Sequence, residues 1–122
     1  MMHELVFDVP KSLWMTANQR IHWAVRANRT KALREMAAVE SWKLTAFKTR
    51  VLATVHIGYP RNGRADPANA APTVKALIDG LVDGGVLEDD DHEHLLGPDY
   101  RRDASTGVQG LWRVRIVLEE AT

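Results

Sequence analysis

Apolar and polar residues alternate from Glu4 to Val9, which places Leu5, Phe7 and Val9 on one face of a strand that Pro10 stops. The two-residue period returns more strongly from Arg50 to Tyr59. Val51, Ala53, Val55, Ile57 and Tyr59 share one face there, and Leu52, Thr54 and His56 the other, so both faces carry apolar residues and the strand is expected to be central. A further run, Gly110 to Glu120, sets Trp112, Val114, Ile116 and Leu118 against Arg113, Arg115 and Val117. Between the first two strands the period lengthens. From Ile21 to Phe47 there is no Gly or Pro, and Leu33, Met36, Ala37, Glu40 and Leu44 fall three or four apart with Val25 and Trp42 close to that side, which predicts one long helix. Thr16 and Asn18, in the loop before it, have the chemistry of helix caps. A second helix starts near Pro72, which suits a first turn, and carries an apolar stripe of Val74, Leu77, Ile78, Leu81 and Val82. Gly84-Gly85 ends it by supplying positive φ. Val86-Leu87 read as the start of a short strand, and Gly97 to Gly107 as a polar hairpin or mobile loop carrying Arg101 and Arg102. The order β, α, β, α, short β, β has too few alternating units for a doubly wound sheet. It predicts a small mixed sheet packed with two main helices, an α/β fold of the α+β kind.

Composition narrows this only slightly. A chain of 122 residues, 45% hydrophobic and 26% charged, is the size and balance of one globular domain, expected to span 1–122. With no cysteine, no disulfide can form, which permits a reducing compartment. No apolar run approaches the roughly 20 residues of a membrane span, and the start lacks the layout of a signal peptide. The expectation is a cytoplasmic protein without membrane association. Net charge is zero, yet the charges are segregated. Lys11 to Arg50 is rich in Lys and Arg with only two acids, Glu35 and Glu40, whereas Asp79 to Glu93 carries acids and no Lys or Arg. Such a division suits phosphates on one section and a cation on the other, although charge alone favours ordinary solvated surface.

The candidate chemistry lies between Arg64 and His94. Asp66 sits in a Pro-containing loop, Lys75 on the second helix, and Glu88-Asp89-Asp90-Asp91 beyond that helix. Carboxylates converging beside a lysine are what a magnesium-dependent phosphodiester-cleaving site requires, because Mg²⁺ takes hard oxygen ligands and activates water against the phosphate. Other readings remain. Lys75 and Asp79 are spaced i,i+4 and can simply pair, and an acid run taken by itself is more often solubilising surface. A calcium-binding EF-hand fails, since the sixth residue counted from Asp89 is His94 rather than Gly. Zinc at His92 and His94 is a minor alternative. There is no P-loop, G-x-G-x-x-G or H-E-x-x-H.

Asp66 to Asp91 resembles the signature of the RusA-type Holliday-junction resolvases: an Asp-x-Asp-Asn loop, a Lys and then an Asp on the following helix, a Gly near its end, and an Asp-Asp pair beyond. Lys75, Ala76, Asp79, Leu81, Gly85 and Asp89-Asp90 match in register. Upstream, Asp66 takes the place of the first loop acid and Asn69 that of the Asn, with about one turn of extra chain before Lys75. Ala68 stands where the second acid belongs. Thr16 to Arg20 also resembles the segment before that family's first helix. The resemblance implies a homodimer of RusA-like endonuclease domains that cuts branched DNA such as four-way junctions, in recombination, repair or phage DNA processing, with Mg²⁺ or alternatively Mn²⁺. Asp66, Lys75 and Asp90 are then the catalytic residues, with Asp66, Asp90, Asp89 and Asn69 holding metal. Asn18, Arg20, Arg26, Arg29, Arg61 and Arg64 would contact DNA.

Two other functions stay open from the sequence. A weakened relative that binds branched or single-stranded DNA without cutting is motivated by Ala68, and a small interaction protein with an acidic surface accounts for the charges without any catalysis.

Overall fold

The alternating segments form the strands expected of them. In the computed structural model, which describes residues 1–121, the elements are β1 (Met2–Pro10), α1 (Trp23–Ser41), β2 (Val51–Gly58), a short 3₁₀ turn (Pro67–Ala70), α2 (Ala71–Asp83), β3 (Leu95–Arg102) and β4 (Leu111–Glu120). The sheet order is β1-β4-β2-β3, with β4 antiparallel to both neighbours and β2 parallel to β3. A mixed four-stranded sheet with two helices is therefore the architecture, an α+β fold.

Burial follows the two-residue period. Leu5, Phe7 and Val9 of β1, Val51, Ala53, Val55 and Ile57 of β2, and Val114, Ile116 and Leu118 of β4 are buried, and they join Leu33 and Ala37 of α1 and Val74, Leu77 and Leu81 of α2 in one core. The other sheet face is left half-covered, with Glu4, Val6 and Asp8 exposed along β1. No helix among the described residues is long and apolar enough to cross a membrane.

Several expectations need correction. First, α1 stops at Ser41 instead of reaching Phe47. At 1.5 Å per residue its 19 residues span about 28 Å, close to the length of an eight-residue strand, so a continuation would overshoot the sheet. The chain turns instead, and the Phe47 N–H donates to Val86 O at 3.0 Å. The cap is His22, whose Nδ1 accepts from Ala24 N at 3.2 Å, rather than Thr16 or Asn18.

Second, Val86-Leu87 form no strand; both are buried in the turn after α2, held to Leu81 O by their N–H groups. Third, β3 occupies Leu95–Arg102, where a loop was expected. Gly97-Pro98 reads as a chain break, yet β3 is a sheet edge, where proline removes no needed donor. Of the two helix-ending glycines only Gly85 has positive φ, +88°. Gly84 is required for space instead, since a Cβ there would lie 2.5 Å from that of Ser41.

Candidate functional site

α2 carries the central lysine, and its rigidity comes from what surrounds Lys75 in sequence. Thr73, Val74, Ala76, Leu77 and Ile78 are all buried, leaving Lys75 as the residue of that turn which faces solvent. The buried Thr73 hydroxyl donates to Met15 O at 2.8 Å and accepts from Met15 N at 2.9 Å, tying the loop before α1 to the first turn of α2. Ala17 N donates to Asn69 O at 2.9 Å in the same seam.

Beyond α2 the chain reverses at Gly85, plants Val86 and Leu87 in the core, and returns the acids along the helix. Lys75 Nζ donates to Asp79 Oδ1 at 2.8 Å and also to the Asp90 carboxylate. The Asp90 N–H in turn donates to Asp89 Oδ1 at 2.7 Å. The ammonium is held by both acids, Asp79 first and Asp90 second, which raises its pKa, while the Lys75 hydrogen bond holds the Asp90 carboxyl below the usual range.

A second group follows immediately. Asp91 Oδ1 accepts from the N–H groups of Glu93 and His94 at 3.1 Å and lies 2.6 Å from His94 Nδ1. That contact pushes His94 above its ordinary value and Asp91 below. Asp89, Asp91 and His94 offer ligand atoms within 4.8 Å of one another. The Asp79 and Asp90 carboxylates around Lys75 are hard oxygen donors of the kind that Mg²⁺ takes. Asp79 was read from sequence only as a pairing partner and as part of the family resemblance. Its i,i+4 spacing from Lys75 was the signal that it belongs here.

The remaining expected residues make contacts of their own. Asp66 caps the 3₁₀ turn, with Oδ1 accepting from Ala68 N at 3.0 Å. Its charge bears on Tyr59, whose hydroxyl pKa burial pushes up, Arg102 opposes and Asp66 raises further. The groups acting on Lys75 and Asp90 are Asp79, Asp89 and each other. Asn69 is half-buried in the 3₁₀ turn, where its backbone carbonyl receives Ala17.

Arg29 Nη1 donates to Trp14 O at 3.0 Å and Arg26 reaches Gln19 O at 3.5 Å, so both brace the loop before α1. Asn18 and Arg20 are exposed on that loop.

Arg61 and Arg64 join a basic and aromatic hollow of about 540 Å³ at the end of β2, together with Tyr59, Arg102 and Trp112. The Arg102 guanidinium lies 4.8 Å from the Tyr59 ring centre, and Trp112 stacks on Trp14 with centroids 5.2 Å apart. Arg102 and the two aromatic residues were absent from the expected DNA contacts. Their separation in sequence hides a cluster that the sheet assembles. Cationic and aromatic groups together are the equipment for binding a nucleic-acid strand.

No family model matches the chain, and no curated protein matches it. Among solved structures it is similar to a thiamine-monophosphate kinase from Stenotrophomonas maltophilia K279a at 18% identity, with a TM-score of 0.29. The match covers 96% of this chain and 30% of that one, and at that TM-score it carries neither fold nor activity across.

Proposed function

We propose that this protein is a RusA-like, Mg²⁺-dependent endonuclease that hydrolyses phosphodiester bonds in branched DNA, acting as a homodimer in the cytoplasm of a bacterial or phage-infected cell. The observation that carries the reading is the solvent-facing Lys75 ammonium held between Asp79 and Asp90, which arrive from a helix and a loop. Bound at these acids, Mg²⁺ would polarise the phosphate and lower the pKa of a water. Asp90 and Asp79 would supply its charge-balancing oxygens, and Asp89 steadies Asp90 through the backbone N–H. Lys75 exchanges a carboxylate for the phosphate and neutralises charge developing on the phosphoryl oxygens. The basic residues near Tyr59 and Trp112 hold the strand by its phosphates without reading sequence. A dimer matches the two-fold relation of strands in a four-way junction.

Cleavage of a synthetic four-way junction with Mg²⁺ or Mn²⁺ tests this. Asp90→Asn and Lys75→Ala are expected to keep binding and lose nicking; equal cleavage by Asp90→Asn rejects the assigned role. A second reading, binding of branched or single-stranded DNA without cutting, is favoured by Asp66 serving as a cap and by Ala68 in the position of the family's second acid. Salt-sensitive binding with no nicking in either metal selects it.

A further inference from the structure

Between α2 and the edge strand β3 lies a hollow of about 530 Å³ whose wall includes Lys75 and Asp90 themselves. A bulge creates it. From the pair Leu52–Leu96 to the pair Thr54–Asp99, β2 advances past Ala53 alone while β3 advances past Gly97 and Pro98. Bulges bend a strand and re-aim its side chains, and they recur beside active sites. A glycine and a proline therefore stand where a regular strand would carry a side chain able to fill the space. No larger residue is accommodated at Gly97, where φ is +97° and a Cβ would lie 2.7 Å from Ala53 O. The rest of the wall is apolar or aromatic: Pro72 and Ile78 from α2, Leu95 and the half-buried Tyr100 from β3.

The volume falls in the usual range for ligand pockets, about 300–1,000 Å³. Its chemistry is double, with an apolar interior that includes the Tyr100 ring and a charged rim at Lys75 and Asp90. A ligand complementary to both parts is a planar ring joined to a phosphate. In a duplex such a ring is stacked and out of reach, so it must leave the stack to enter.

We infer that this hollow receives a nucleobase displaced from the DNA strand, stacked against Tyr100, while the adjoining phosphate lies at Lys75 and Asp90. The inference rests on the nuclease reading above and narrows the substrate to DNA with an unpaired or readily extruded nucleotide beside the scissile phosphate. A branch point provides such a nucleotide, and aromatic stacking holds any base without reading its identity.

The test uses four-way junctions carrying 2-aminopurine at successive positions around the branch, bound with Ca²⁺ in place of Mg²⁺ and then cut with Mg²⁺. Fluorescence is expected to rise severalfold at one position beside the cut with the wild type and with Tyr100→Phe, and to stay at the free-DNA level with Tyr100→Ala. In cleavage, Tyr100→Ala should lower kcat/KM about tenfold, in line with the loss of one base–aromatic stack. An abasic residue at the responding position should make wild type and Tyr100→Ala equal. A thermal melt of Tyr100→Ala separates loss of stacking from loss of folding.

Cutting by the wild type with no responding position overturns the base subsite and leaves the nuclease reading standing. A response without cutting does the reverse. Losses from the abasic residue and from Tyr100→Ala that multiply also overturn the subsite, as does a shift in oligomeric state on Tyr100→Ala with no fluorescence response, which would assign the hollow to a second copy of the chain.

Discussion

The two helices lie side by side in the same small fold and are used differently. α2 buries seven of its 13 residues, whereas α1 buries only Leu33, Ala37 and Ser41 of its 19. They meet where side chains are smallest. A Cβ on Gly80 would fall 2.3 Å from Arg34 O and 2.6 Å from the Ala37 Cβ, and the Ser41 hydroxyl accepts from Val86 N at 3.2 Å. α1 thus serves as a cover, with Trp23, Val25 and Val39 left in solvent, while α2 is a core element that exposes one charged edge. A catalytic side chain needs a fixed backbone under it. The buried neighbours of Lys75 on α2 supply one.

The sharpest way to break this contrast is to delete core volume from α2. Leu77→Ala, at a fully buried position, is expected to cost about 2–5 kcal/mol in a urea unfolding series, whereas Val39→Ala on α1 should stay within about 0.5 kcal/mol. A comparable loss at Val39 would mean that α1 is not merely a cover. Gly80→Ala comes next. The contact it would strike is backbone and cannot swing away, so a loss of about 1–3 kcal/mol is expected from forcing the helices apart. An unchanged midpoint would show that the helix contact is looser than the structure has it.

Arg34 of α1 makes a two-pronged contact with Asp83 of α2 at 2.8 and 2.9 Å, which raises the Arg34 pKa and lowers that of Asp83. Both groups are well exposed, so water and salt screen them, and Arg34→Ala should cost less than about 1 kcal/mol, shrinking further in high salt. A larger, salt-independent loss would make this edge part of what holds the helices together.

The smallest effect belongs to His94, in the loop that follows α2. Its folded pKa is raised above 6.5 chiefly by the hydrogen bond with Asp91, so the stabilisation it contributes is present below pH 6.5 and is lost as pH rises through the folded value. NMR titration should place the His94 midpoint above 6.5 and return it toward that value in Asp91→Asn. No movement in the variant would dissolve the Asp91–His94 pair.

How legible the site was depends on the residue. Lys75 and Asp90 were marked by residue type and by the family resemblance, and they do meet. Asp66, marked by the family resemblance, caps a turn, because the Pro67–Ala70 segment gives its carboxylate a backbone N–H to receive. Tyr59, Arg102 and Trp112 carried no mark, since no spacing rule relates positions on three different strands or strand ends. β3 was hidden for a further reason. Gly97-Pro98 is a break by local preference, and only the neighbouring β2 supplies the hydrogen bonds that make Leu95–Arg102 a strand.

Read alone, the chain determined where β1, β2, β4 and α2 lie, because burial of one face imposes a period that is written in the residues themselves. It also determined that acids and bases occupy separate stretches. Which acid approaches Lys75, where α1 ends, and that a bulged edge strand opens a hollow beside the ammonium were decided by packing. These depend on distances between segments far apart along the chain, and a helix or strand acquires them only when it is laid against its neighbours.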